Sequence, residues 1–240
     1  MKVTLVLLCG GLANRCNNNI KELYKVGINN ETLLELIILN ALKAKYYGIH
    51  FVTSDRTYEK INSIFGKKYN NIPITYVKQR AGIGVSHKNH IYPYISDACV
   101  ICCADLLYPT ICHEIMINNL NKKHDCIYGF RLKNILFNKG GQNIMFFESK
   151  KKDDNTFLTA IKQYRSITYK EAEDENILNH VVLGTPYGLL KSTMEDIIKK
   201  NYDMKQLYAN ISLKIDFTED PIYGITYEED VEPFKEFIRT

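Results

Sequence analysis

From Val3 to Leu8 the chain is almost continuously apolar, and it then breaks on Gly10-Gly11. That pattern predicts a central parallel strand buried on both faces and followed by a glycine loop. Glu31 to Lys45 (ETLLELIILNALKAK) has helical length and a broad apolar face, with Asn30 placed as its N-cap. A short strand over Ile49–Thr53 ends at Ser54-Asp55. A helix over Tyr58–Phe65 stops at Gly66. Another strand covers Ile74–Val77, and Ser86 to Tyr94 reads as a helix that Pro93 ends. The next pair is a strand over Ala98–Cys103 and a helix over Ile111–Leu120.

This alternation implies a mostly parallel sheet with helices on both faces. Ligands on such sheets sit at the carboxyl ends of the strands, which places Gly10-Gly11, Ser54-Asp55 and Ala104-Asp105 along one edge. Beyond residue 125 the pattern becomes mixed. Cys126–Phe130, Asn143–Glu148, Asn179–Gly184, Leu213–Phe217 and Tyr223–Thr226 read as strands. Lys150–Asn155 (KKKDDN) reads as a charged turn, and Glu195–Lys200 and Glu228–Ile238 as helices. Without a linker or repeat, the expected organisation is one domain over residues 1–240. Residues 1–124 then form the parallel half and 125–240 a mixed-sheet half that completes an acceptor pocket.

Composition narrows the class. A content of 45% hydrophobic and 24% charged residues over 240 positions excludes disordered and low-complexity classes. No apolar run reaches the roughly 18 residues of a membrane span. The apolar N-terminus ends in a glycine loop rather than a cleavage site, so it reads as a strand and not a signal peptide. A net charge of +4 on scattered lysines forms no nucleic-acid stripe. Seven cysteines, an odd number and mostly in apolar runs, fit a reducing, cytoplasmic compartment. Cys99 and Cys102 form a CxxC, but within ACVICCA they are expected to be buried strand residues on opposite faces.

The densest chemistry lies in residues 7–23, LLCGGLANRCNNNIKEL. Glycines after a strand expose backbone N–H groups to a ligand, and Arg15 and Lys21 add fixed positive charge suited to a polyphosphate. The loop is neither a Walker A nor a dinucleotide fingerprint. A solvated glycine turn is the alternative reading. The second feature is Asp105, a carboxylate at the end of an apolar strand in ACVICCADLLYP. Mg²⁺ favours one or two such carboxylates together with phosphate oxygens. The third is QRAGIGVSHKNH, residues 79–90, a segment with glycines that joins a strand to a helix, where Ser86 reads as a helix N-cap. His87 and His90 in that segment read as surface residues.

The GGLANRCNNNIK run resembles the signature loop of nucleotidyltransferases with a GT-A-type, Rossmann-like fold. That group includes the molybdenum-cofactor guanylyltransferases, the methylerythritol-phosphate and ribitol-phosphate cytidylyltransferases, and the sugar-phosphate nucleotidyltransferases. The resemblance implies a three-layer α/β/α mixed sheet of the nucleotide-diphospho-sugar transferase type. It also implies Mg²⁺-dependent transfer of a nucleotidyl group, CMP being favoured, from an NTP to a small phosphorylated acceptor, with release of pyrophosphate. Carried onto this chain, Gly10, Gly11, Leu12 and Ala13 line the triphosphate, Arg15 and Lys21 hold it through the transition state, Asp105 binds the metal, and Gly82, Gly84 and Ser86 are the candidates to meet the nucleoside, Ser86 equally as an N-cap. The chain departs from the pattern at Cys9, where Ala is usual, at Ala13, where many members have Gly, and at Ile20, where Pro is frequent. The C-terminal KIDFTEDPIYGITYEEDVEPFKEFI resembles the family's closing strand and helix. There Thr226 with Glu229 reads as a capping box and Asp230 as structural, and Asp216 and Asp220 stand as weaker candidates for a second metal ligand. GTPYGLL, residues 184–190, is placed on the acceptor side, with Tyr187 as a packing residue. Two other readings remain open: a nucleotide-sugar glycosyltransferase, whose paired acids would have to be met by the single Asp105, and a non-catalytic nucleotide-binding protein of the same fold.

Overall fold

The computed structural model describes residues 1–11, 19–79, 91–135, 142–167, 181–202 and 204–239. Its strands in chain order are β1 (Val3–Cys9), β2 (Gly48–Thr53), β3 (Lys68–Tyr69), β4 (Ile72–Lys78), β5 (Ala98–Cys103), β6 (Leu106–Leu107), β7 (Cys126–Arg131), β8 (Gln142–Lys152), β9 (Asn155–Ile167), β10 (Val181–Leu190), β11 (Lys214–Thr218) and β12 (Tyr223–Gly224). All but β6 and β12, which pair with each other, join one ten-stranded sheet in the order β3-β4-β2-β1-β5-β10-β7-β11-β9-β8.

The stretch β4-β2-β1-β5 is parallel throughout. β10 enters antiparallel between β5 and β7, and β11 runs parallel to β7. Hence β1, β2, β4, β5, β7 and β11 all end at the same edge. β1 shows why the sheet is covered on both sides. Leu5 and Leu7 are buried in one apolar cluster and Val6 in another. Burying each such side chain contributes roughly 1.5–3 kcal/mol. Helices Leu33–Leu42, Asp55–Phe65, Thr110–Asn121 and Val231–Arg239 supply the first cluster. Helices Lys191–Lys199 and Met204–Asn210 supply the second through Met194, Ile197, Leu207 and Tyr208.

Several local expectations shift. The first long helix starts at Leu33, not Glu31, because Thr32 rather than Asn30 is its N-cap and forms a reciprocal capping box with Glu35. Asn30 instead sits at φ 64 in the turn before it. The helix after β2 starts at Asp55, three residues early, on a Ser54 cap. The tract Lys150–Asn155 is a turn only at Asp153-Asp154, with Asp153 at φ 54: Lys150–Lys152 end β8 and Asn155 opens the long strand β9, so the tract is the tip of a hairpin. The helix after β10 begins at Lys191 because a partly buried carboxylate from the link before β7 caps it: Asp125 accepts hydrogen bonds from Leu190 N (2.7 Å) and Thr193 Oγ1 (2.6 Å). At the C-terminus the cap is Asp230, not Glu229. Its carboxylate accepts from Thr226 N (2.7 Å) and Tyr227 N (2.8 Å), which confirms its structural role. Cys99 and Cys102 point into opposite clusters and cannot share a metal. Among the described residues no helix is long and apolar enough to cross a membrane.

Candidate functional site at the carboxyl edge

Parallel strands bring their C-terminal ends together, so Gly10-Gly11 after β1, Ser54-Asp55 after β2, Gln79 after β4 and Ala104-Asp105 after β5 share one edge. The chain is described again from Asn19, at this same edge. Ile20 is buried, a 3-10 turn covers Lys21–Leu23, and its first bond runs from Leu23 N to Ile20 O (2.9 Å). This turn carries the Lys21 ammonium onto the Asp105 carboxylate, residues 84 positions apart, as a partly buried ion pair. The two residues singled out from sequence as phosphate-holding cation and metal-binding anion therefore meet beside Gly10-Gly11. Leu12, Ala13, Arg15, Gly82, Gly84, Ser86, His87 and His90 lie outside the described residues.

The glycines differ in what requires them. A Cβ on Gly10 would lie 2.1 Å from the Gln79 amide nitrogen, which donates a 2.6 Å hydrogen bond to Gly10 O. A Cβ on Gly11 would meet open space. The third glycine of the site is Gly224, in β12. β12 pairs Gly224 with Leu106, and Ile225 N donates to Asp105 O (3.0 Å). A Cβ on Gly224 would stand 2.7 Å from Asp105 O and 2.4 Å from a Leu106 methyl. Gly224→Ala must therefore push the Asp105 loop away. The expected cost is about 1–3 kcal/mol of stability, read as a lower melting temperature. A melting point equal to wild type would show that the loop yields freely.

Beside Lys21, the Glu22 side chain turns inward and is buried. Burial first, and then the Asp105 charge, push its pKa up to about 7, with Lys21 and Arg56 opposing. Because the folded pKa lies above the unfolded value of 4.5, the folded state keeps this proton longer. Stability from Glu22 is complete below pH 4.5 and is lost as pH rises through 7. Glu22→Gln is accordingly expected to add about 2–3 kcal/mol at pH 8 and almost nothing at pH 4, measured by urea unfolding. Equal gains at both pH values would contradict a buried ionisable carboxyl.

The neighbouring thiols are inert. Burial, then the Asp105 charge, pushes Cys103 up to about 12, and burial followed by the charges of Glu22 and Asp105 holds Cys9 well above the usual thiol range. Tyr108 reaches across the sheet end, its hydroxyl 2.7 Å from Thr185 Oγ1 while accepting from Cys103 N (3.3 Å). Thr185 lies where the β10 register shifts, between Leu183 and Tyr187, so this bond ties β5 to the irregular part of β10. Tyr187 itself is buried among apolar side chains. Asp216 does not serve as a second metal ligand. It accepts from Asn119 Nδ2 (2.6 Å), pairs with Lys214 (3.6 Å) and stands three strands from β5. Asp220 accepts from Thr218 Oγ1 (2.8 Å). Among the described residues no group of three or more potential metal ligands occurs. Gln79, Glu22, Arg56 and the Tyr108–Thr185 pair were not anticipated as site residues. Gln79, Glu22, Tyr108 and Thr185 lie in segments the sequence singled out, whereas Arg56 carried no sequence signal.

Solved structures with this arrangement of elements span the whole chain. A UDP-glucose pyrophosphorylase in complex with UDP-glucose superimposes with a TM-score of 0.72 at 13% identity, covering 100% of this chain and 99% of that one. A protein assigned as a glucose-1-phosphate thymidylyltransferase, from Bacillus anthracis, gives 0.71 at 13% identity over 99% and 95%. The UTP-bound UDP-glucose pyrophosphorylase of Acinetobacter baumannii gives 0.66 at 14% over 99% and 93%. This is the nucleotide-diphospho-sugar transferase fold. The three-layer mixed sheet expected from the sequence is thus observed. No protein-family model matches the chain, and no curated protein matches it.

Proposed function

We propose that the chain transfers a nucleotidyl group from a nucleoside triphosphate to a small phosphorylated acceptor and releases pyrophosphate. The observation that carries this reading is the Lys21–Asp105 pair beside Gly10-Gly11 at the carboxyl edge of the sheet. The similar structures support it, since those with informative names are nucleotidyltransferases acting with UTP or on glucose 1-phosphate.

In this reading, backbone N–H groups of Gly10, Gly11, Leu12 and Ala13 receive the triphosphate, and Gly82, Gly84 and Ser86 meet the nucleoside. Arg15 and Lys21 hold the phosphates and the charge that develops on the departing pyrophosphate. The acceptor phosphate attacks the α-phosphorus. It is already ionised near neutral pH, so no strong general base is required. Asp105 suits Mg²⁺: it offers a hard oxygen donor, its side chain is 30% exposed, and Lys21 stands on the same spot to meet phosphate oxygens. When bound there, the ion would neutralise charge across the phosphates. Residues 1–124 and 125–240 are read as nucleotide and acceptor halves of one cytoplasmic enzyme, joined by a sheet that runs through both. CTP is the favoured donor from the sequence, with UTP and dTTP as the competing choices that the similar structures suggest.

The test is a thermal-shift panel of CTP, UTP, dTTP, GTP and ATP, each with and without Mg²⁺, followed by pyrophosphate release from a panel of sugar and polyol phosphates. One triphosphate should raise the melting point in an Mg²⁺-dependent way, because a ligand of the folded state must stabilise it. No shift from any triphosphate would sink the proposal. A shift from nucleotide sugars alone would favour glycosyl transfer.

A further inference from the structure

The loop that holds Lys21 is pinned from both sides of β1. On the β5 side the Lys21 ammonium meets Asp105. On the β2 side the Arg56 Nη2 donates a 2.8 Å hydrogen bond to Asn19 O. Arg56 belongs to the first turn of helix Asp55–Phe65, which packs Ile61 and Phe65 into the core, so its backbone is a rigid support. Between Asn19 and Lys21 lies buried Ile20, and after Lys21 comes buried Glu22. The charges of Lys21, Asp105 and Arg56 all act on the Glu22 carboxyl, so these four groups form one cluster.

We infer that Arg56 is a positioning residue for Lys21, an inference that rests on the nucleotidyl-transfer reading above. Lysine carries a point charge on a long flexible stem, so its value at a phosphate depends on where its backbone is held. Ile20 and Glu22 fix the depth of the turn, and the bond to Asn19 O fixes its lateral position at the sheet edge. A guanidinium suits this task because its planar fork is preorganised and loses less freedom on bonding than an ammonium does. Arg56 acts through the loop and not on the triphosphate itself.

A double-mutant cycle separates these roles. The affinity of the triphosphate chosen by the thermal-shift panel is measured by calorimetry, with Mg²⁺, on wild type, Arg56→Gln, Lys21→Ala and the double variant. Arg56→Gln should weaken binding about tenfold, the worth of one charged hydrogen bond. In the double variant the Arg56 substitution should add less than about threefold to the loss from Lys21→Ala, since residues acting as one unit are not additive. Arg56→Lys should recover only part of the loss. Melting temperatures of all variants show whether the proteins measured are folded, and an altered melting point alone does not produce coupling between the two sites. Full additivity would mean that Arg56 touches the triphosphate directly and would overturn the inference. So would an Arg56→Gln affinity equal to wild type while Lys21→Ala is impaired. Failure of Lys21→Ala itself to weaken binding would instead overturn the reading on which the inference rests.

Discussion

Lys21→Ala is expected to slow nucleotidyl transfer by about 10²–10³-fold, the usual consequence of removing one preorganised donor from a developing charge. The protein should still fold, because Lys21 contributes a side chain that is 16% exposed and not part of either apolar cluster. Asp105→Asn should give a loss of similar size by a different route. It keeps the shape of the loop and its backbone bond to Ile225, but it removes the charge that faces both Lys21 and a cation. The two variants are therefore distinguishable. In Asp105→Asn the apparent Mg²⁺ requirement should rise, whereas in Lys21→Ala it should stay near wild type while triphosphate affinity falls. Steady-state pyrophosphate release at several Mg²⁺ concentrations measures both. Wild-type rates in either variant would remove the pair from the mechanism.

Acid should destabilise the fold well above the pH at which surface carboxylates titrate. His50 and His113 are fully buried, and burial lowers each from 6.5 to about 4. His50 Nδ1 faces Thr75 Oγ1 at 2.7 Å and His113 Nδ1 faces the Tyr46 hydroxyl at 2.9 Å. Nε2 of both rings has no hydrogen-bond partner among the described residues. Below pH 6.5 the unfolded chain takes up a proton at each ring that the folded chain refuses, so stability falls as pH drops toward 4. At about 1.4 kcal/mol per pKa unit, each histidine accounts for about 3 kcal/mol over that window. Glu22 works the other way, because between pH 7 and 4.5 the folded chain binds its proton more tightly. The net loss for the wild type between pH 6.5 and 4.5 is then close to one proton's worth, about 1.4 kcal/mol per pH unit. In Glu22→Gln the opposing proton is gone and the slope should roughly double. Urea unfolding at half-unit pH steps on both proteins tests this. A wild-type stability that is level across the window would show that the rings are protonated in the fold.

Much of the first half of the chain was legible because its signals are local. The apolar run Val3–Leu8 can only be satisfied by burial on both faces, and the structure gives β1 neighbours on both sides. Strand–helix alternation forces parallel pairing, which sets Gly10 and Asp105 at one edge without further information. Helix limits were less legible. Asn30 and Thr32 are both good caps by type, and the tight turn of residues 27–31 decides between them. Asp125 as the cap for the helix at Lys191 is 65 positions from Leu190 and invisible to any local pattern.

The second half was legible only in part because its strands are completed by distant partners. β9 runs through NTFLTAIKQYRSI, whose polar and apolar residues follow no strict period, and it is held by the hairpin with β8 and by β11. The β10 register shift that admits the Tyr108 hydroxyl is likewise a product of two unrelated strands meeting.

By itself the sequence determined the class of fold, the edge on which chemistry would collect, and the residue types able to handle phosphate and metal there. These follow from burial of apolar runs and from the hand of strand–helix–strand connections, which depend on neighbours in the chain. Only the tertiary structure decided which charges face each other: Lys21 on Asp105, Glu22 turned into the core, Arg56 on Asn19 and Gly224 against the Asp105 loop. Those contacts join segments tens of residues apart. Electrostatic and steric energies fall off over a few ångströms of space, and separation along the chain does not enter them.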